Sequence, residues 1–249
     1  MKLSGNTVFI TGGTSGIGRS LAEALHKRGN QVIISGRRKG HLAEVTKANP
    51  GMQSLELNVE DPASIAAVAK KLIAEYPKLN VLINNAGIMQ IDDAAGAIDD
   101  SVLVSIVTTN LLGPIRMTSA LIEHLKKQPS ATVINVSSGL AFVPLASTAV
   151  YSATKAAIHS YTQSMRYRLK GSSVRVLELI PPWVQTDLLN SKDEPRAMPL
   201  AAFIEEAVTV LGTDAEEVMV ERVKMLRNNP GPNEFVFVAQ FNAMIASAH

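Results

Sequence analysis

The sequence predicts an α/β fold, a doubly wound parallel sheet with helices on both faces, in one domain spanning 1–249. Three observations predict it. Short runs rich in Val, Ile and Leu recur along the chain, helical patterns with their own start and stop signals lie between them, and a glycine-rich turn follows the first run directly.

The runs are "TVFIT" (7–11), "QVIIS" (31–35), "SLELN" (54–58), "VLIN" (81–84), "TVINVS" (132–137) and "VRVLELI" (174–180). Each is too short for a buried helix and reads as a parallel strand covered on both faces. Between them, Gly29 stops the helix of "SLAEALHKR", Asp61 and Pro62 supply an N-cap and first-turn pair before "ASIAAVAKKLIAEY", and Gly171 follows the helix that begins near Tyr151. Right-handed crossovers then place the ligand crevice beyond the carboxyl ends of the strands, where strand order reverses. After the sixth run, "PPWVQTDLLNSKDEPRAMP" (181–199) is a long proline-punctuated insertion of the kind that forms binding loops, with surface decoration as the alternative. The segment 213–249 is atypical: "TDAEEVMVERVKMLRNN" opens with a capping box from Thr213 to Glu216 and reads as a helix. In the tail from 233, "FVFV" allows a seventh strand, but Phe235, Val238, Phe241 and Ile245 recur at helical spacing, which favours a helix.

Composition bounds the function. Hydrophobic residues make up 46% and charged residues 18% of 249, the balance of a protein with a packed core. Lys and Arg number 24 against 22 Asp and Glu, so no global field favours nucleic acid or an acidic membrane surface. The absence of cysteine excludes disulfides, thiolate nucleophiles and iron-sulfur ligation, and the five dispersed histidines lack metal-site spacing, so no metal is expected. Neither a signal-peptide core nor an apolar run of about 20 residues occurs, and a cytoplasmic location is expected.

Chemistry gathers at the strand ends. In "TGGTSGIG" (11–18), Gly12, Gly16 and Gly18 allow a sharp turn and close backbone approach to a pyrophosphate, with a helix N-terminus behind it, as in a Rossmann-type nucleotide site. The acidic residue that would hold a ribose 2′-hydroxyl at the end of the second strand is missing, since no acid lies between Glu23 and Glu44. "SGRRKG" stands there instead. The guanidinium groups of Arg37 and Arg38 suit a 2′-phosphate, which favours NADP(H) over NAD(H), while Lys39 fits a solvated turn. "NNAG" (84–87) closes the fourth strand, Ser137 and Ser138 close the fifth, and Tyr151 and Lys155 share one face of the helix that follows.

These motifs together, T-G-x-x-x-G-x-G, N-N-A-G, Asn110 in "VTTNLLGP", Ser138 and Y-x-x-x-K, resemble the short-chain dehydrogenase/reductase superfamily over about residues 4–190. "YSATKAAIHSYTQS" and "PPWVQTDL" look like its DltE-like oxidoreductase branch. The resemblance implies that Tyr151 is the general acid and base, that Lys155 tunes it, that Ser138 binds the substrate oxygen, and that Asn110 positions a water. Asn110 also has a plainer reading as the cap of a local kink. A free tyrosine has a pKa of about 10, so work near neutrality requires it to fall by about 3, or roughly 4 kcal/mol in favour of phenolate.

For the cofactor, the resemblance assigns the diphosphate to Gly12, Thr14, Ser15, Gly16, Ile17 and Gly18, and the adenosine side to Asn58, Val59, Asn85, Ala86 and Gly87. It assigns the nicotinamide side to Pro181, Val184 and Thr186, with Tyr151 and Lys155. The chain departs from the family pattern in Asn58, where Asp is frequent, in "PPW" for the usual Pro-Gly, and in its tail. Ile88, Met89, Phe142, Leu145, Trp183, Leu188 and Met198 are candidates for an apolar substrate wall, or equally for core or subunit contacts. The expected activity is NADP(H)-dependent oxidoreduction of a small carbonyl or alcohol by a homodimer or homotetramer. The alternative is a non-catalytic NADP sensor or scaffold, which would have no need of Ser138, Tyr151 and Lys155 together.

Overall fold

The computed structural model describes residues 1–246. Seven parallel strands form one sheet: β1 (Thr7–Ile10), β2 (Gln31–Gly36), β3 (Gln53–Glu56), β4 (Leu79–Asn84), β5 (Ala131–Val136), β6 (Val174–Ile180) and β7 (Glu217–Met219). Their order is β3-β2-β1-β4-β5-β6-β7. Strand order reverses between β1 and β4, so the turns that leave these two strands face one crevice.

The helices are α1 (Gly16–His26), α2 (Lys39–Ala48), α3 (Pro62–Glu75), α4 (Asp100–Val107), α5 (Gly113–Lys126), α6 (Ala149–Arg168), α7 (Leu200–Leu211), α8 (Lys224–Arg227) and α9 (Glu234–Ala246). Side chains alternate between two cores. Val8, Ile10, Ile34, Ile83 and Leu177 pack with Leu21, Leu25 and Phe203 on one face. Phe9, Ile33, Leu82, Val133 and Val176 pack with Leu72, Leu121 and Met165 on the other. Each fully buried aliphatic side chain contributes roughly 1.5–3 kcal/mol, so both faces are needed to hold the strand ends in place. The expected caps are present: Asp61 accepts from the Ala63 N–H at 2.9 Å, Pro62 opens α3, and Gly29 takes φ +81° after α1.

The segment after Thr213 departs from the expected helix. Thr213 Oγ1 accepts from the Ala215 N–H, but Glu217–Met219 then pairs in parallel with Glu178–Ile180 as β7. Val218 and Val220 are fully buried. Covering the open edge of β6 outweighs the local helical pattern, which survives only in the short α8. The seventh strand is therefore not "FVFV". That stretch lies in α9, as its spacing predicts, while 247–249 lie outside the described residues.

Candidate active site

The glycine turn is built for close approach. Gly12 has φ +69°, and a Cβ there would stand 2.8 Å from the Ala86 Cα; a Cβ on Gly18 would stand 2.2 Å from the Gly12 carbonyl oxygen. "NNAG" locks onto this turn. The Asn85 Nδ2 donates to the Thr11 and Gly12 carbonyls at 3.0 Å each, and Thr11 Oγ1 accepts from the backbone N–H groups of Asn85 and Ala86. Ser15 is extended and makes no side-chain cap to α1, so the first-turn N–H groups of that helix face the turn as donors for an anion. Thr186, from the far side of the chain, packs here as well: a Cβ on Gly16, which has φ +53°, would lie 3.4 Å from its side chain. The turn thus has the backbone cradle and the donors that a dinucleotide diphosphate requires.

On the opposite side of the crevice, α6 carries Tyr151 in its first turn. Thr148 gives that helix no side-chain cap; Asp92 does, accepting from Ala149 N–H at 2.9 Å and Val150 N–H at 3.0 Å. Tyr151 is buried and hydrogen-bonded to Ser138, and Lys155 is buried one turn later. The Lys155 ammonium donates to the Val136 carbonyl at 2.8 Å and lies 5.4 Å from the Tyr151 ring centroid. Burial pushes the Tyr151 phenol up to about 12, with the Ser138 hydrogen bond opposing it. Burial also pushes Lys155 down to about 8, with the negative charge of Glu178 opposing it. The direction at Tyr151 is opposite to the expected fall: desolvation disfavours phenolate, and the protein by itself keeps the phenol protonated at neutral pH.

Asn110 sits in a single π-helical turn (Thr108–Leu112) between α4 and α5. Its amide exchanges two hydrogen bonds with the Ile88 backbone, at 2.9 and 2.8 Å, and donates to Thr154 Oγ1 at 3.2 Å. A Cβ on Gly87 would lie 3.4 Å from the Asn110 amide oxygen and 3.7 Å from Lys155 Nζ, so the glycine of "NNAG", the asparagine and the lysine meet at one point. Ser138 heads a 3₁₀ turn (Gly139–Ala141), and Pro181 accepts from the Gly139 N–H at 2.9 Å. Val184 pairs with Met198, which closes 181–199 into a loop, and Trp183 donates to Ser191 Oγ at 2.8 Å inside it.

Of the residues expected on the adenosine side, Asn85 and Ala86 lie against the glycine turn, whereas Asn58 sits apart from it in a second group. Arg37, Asn58, Asp61, Glu56 and Ser64 line a groove of about 370 Å³. Arg37 is 62% exposed and approaches Glu60 at 3.7 Å, while Lys39 pairs with Glu56 at 3.0 Å. Arg38 is the N-cap residue of α2 and directs no side-chain cap to it. Val59 packs under Gly113. Of the candidate substrate wall, Phe142 and Met198 belong to the core, whereas Trp183 and Leu188 remain 38% exposed.

Three contributors escaped the sequence reading. Asp92 caps α6 from a loop distant in sequence, Glu60 reaches Arg37 from beyond β3, and the buried Glu178 pairs with the half-buried His159, one turn beyond Lys155 on α6. Only the last carried a signal: a charged residue inside "VRVLELI", and a histidine one further turn along the Tyr151–Lys155 face.

A short chain dehydrogenase family model matches residues 6–197. An uncharacterized oxidoreductase DltE of Bacillus subtilis is 39% identical over 234 residues, covering 92% of this chain and 93% of that protein. A short chain dehydrogenase from Burkholderia cenocepacia, solved in complex with NADP, superposes with a TM-score of 0.85 at 27% identity, over 96% of this chain and 98% of that one. A 3-ketoacyl-(acyl-carrier-protein) reductase from Brucella melitensis, complexed with NADH, does so with a TM-score of 0.78 at 27% identity, over 86% and 93%.

Proposed function

The chain belongs to the short-chain dehydrogenase family of oxidoreductases, and on that premise we propose that it reduces a small carbonyl compound with NADPH, or oxidises the corresponding alcohol with NADP⁺. The observation that carries the reading is the buried Ser138–Tyr151–Lys155 group placed across one crevice from the glycine turn.

Gly12, Thr14, Ser15, Gly16, Ile17 and Gly18 would hold the diphosphate, Asn58, Val59, Asn85, Ala86 and Gly87 the adenosine, and Pro181, Val184 and Thr186 the nicotinamide end. Arg37 and Arg38 would take the 2′-phosphate. The Arg37–Glu60 contact is long and its guanidinium is exposed, and such surface pairs contribute about 0–1 kcal/mol, so the guanidinium is free to turn to a phosphate. When bound, the nicotinamide supplies or receives the hydride.

The residues of the chain supply the rest. Ser138 donates a hydrogen bond to the substrate oxygen and fixes the carbonyl. Tyr151, protonated at neutral pH, delivers its proton to that oxygen as negative charge develops, and Lys155 stabilises the resulting phenolate. Asn110 holds the Ile88 backbone and, through Thr154, the turn of α6 between the two catalytic side chains. In the alcohol direction the same groups run in reverse. Trp183, Leu188, Ile88, Met89 and Leu145 suit a mainly apolar substrate, the setting is cytoplasmic, and the working form is a homodimer or homotetramer.

The test is NADPH oxidation by purified protein over aromatic aldehydes, diketones and cyclic ketones, beside Tyr151→Phe. Turnover lost in the variant with NADPH binding retained supports the proposal. NADPH binding without turnover of any carbonyl by the unaltered protein favours the sensor reading instead.

A further inference from the structure

A row of polar side chains crosses the sheet just below the site. Asn84, Asn135, Glu178 and Glu217 are in register on four adjacent strands, β4 to β7. Asn84 donates to Asn135, and Asn135 donates to Thr162 on α6. Glu178 is fully buried, and both its carboxylate oxygens meet His159 Nδ1, at 2.8 and 3.0 Å. Glu217 is forked by Arg227 at 2.8 and 2.9 Å. His159, Glu178 and Glu217 bring ligand atoms within 4.8 Å of one another, but Arg227 already supplies a cation to this group.

Burying a carboxylate at the centre of a strand costs several kcal/mol unless it is compensated, so this one needs a reason to be there. Tyr151, Lys155 and His159 fall at successive four-residue steps of α6, on one stripe. That stripe holds the Lys155 ammonium on the uncharged carbonyl of Val136, which pairs in the sheet with Leu179, the residue next to the carboxylate that His159 holds.

We propose that Glu178, oriented by His159, is a positioning residue for catalysis: its fixed charge keeps Lys155 an ammonium and thereby makes Tyr151 a better proton donor and acceptor. The inference rests on the roles given to Tyr151 and Lys155 above. Charge balance around Glu178 is local. Lys155 and His159 face it from α6, Glu217 from β7 and Arg227 from α8, while Glu234 of α9 lines the cavity that His159 and Arg227 share. Arg166, also on α6, is turned to Glu216. Lys155 is raised by Glu178 against the lowering effect of its burial, the direction the arrangement requires.

The experiment reads Lys155 directly. In protein labelled with ¹⁵N-lysine, the Nζ resonance assigned by its loss in Lys155→Arg is titrated in the unaltered chain and in Glu178→Gln. The expected midpoint falls by about one pH unit or more in the variant. Glu178→Asp, which keeps the charge but draws it back by one methylene, is expected to shift the same way by less, and it carries the test if the amide variant does not fold. An unmoved midpoint in a folded variant overturns the inference. The pH profile of alcohol oxidation is the second readout: its rising limb moves to higher pH in Glu178→Gln, which loss of packing alone would not produce. Because the resonance is read without turnover, absence of activity in the unaltered protein would count against the proposed function and leave this coupling tested by its own result.

Discussion

Lys155 stands one helical turn beyond Tyr151 with its ammonium 5.4 Å from the phenol ring centroid, held there by the Val136 carbonyl at 2.8 Å. The pair is buried, and burial drives the two groups toward neutrality from opposite sides: the phenol up to about 12, the amine down to about 8.

This has a consequence for stability. The native lysine gives up its proton near 8 and an unfolded lysine near 10.5, so between these values the unfolded chain binds more protons, and stability rises with pH. Tyr151 acts at higher pH, where its contribution is present below 10 and lost as pH rises through about 12. In cofactor-free protein, Lys155→Met is expected to be the more stable form at pH 7, with the gap closing by on the order of 3 kcal/mol towards pH 10.5. Urea unfolding at several pH values checks this, and a gap independent of pH contradicts it.

Asp92 caps the helix that carries the tyrosine. Asp92→Ala removes an N-terminal acceptor and is expected to cost about 1 kcal/mol, or roughly 2–4 °C in Tm. Because Tyr151 lies in the first turn, kcat should fall while the Kd for NADPH stays within about twofold of the original. Calorimetry with steady-state kinetics checks both, and a change in Kd alone would place Asp92 on the cofactor side.

Arg37 is the strongest candidate for discrimination between the two nicotinamide cofactors. Arg37→Ala is expected to weaken NADPH binding about tenfold, a discounted value for an exposed charge-assisted contact, and NADH binding less than about twofold. Fluorescence titration with both cofactors measures this. Equal losses would mean that the groove beside Glu60 does not read the 2′-phosphate.

Much of this site was legible because its residues lie at strand ends or at helical spacing, where local pattern and tertiary position coincide. Gly12, Asn85, Ser138 and Tyr151 are of this kind: once "TVFIT" and "VLIN" are read as buried strands, the turns after them must meet at the crevice. Asp92, Glu60 and the Glu178–His159 pair act through contacts distant in sequence, which spacing does not encode. The misread helix after Thr213 has the same origin. Its helical pattern is real, but pairing of Val218 beside Leu179 on an otherwise open sheet edge decides the outcome. The tail kept its helical spacing.

In the proposed reaction Tyr151 moves the proton that accompanies hydride transfer. The most direct test is a single-turnover reaction with NADPH deuterated at the transferred position and an accepted carbonyl, followed by mass spectrometry of the alcohol. Deuterium is expected in the product at a rate that falls about 10²–10⁴-fold in Tyr151→Phe, with NADPH binding retained. Equal rates of deuterium transfer in the two proteins would contradict it.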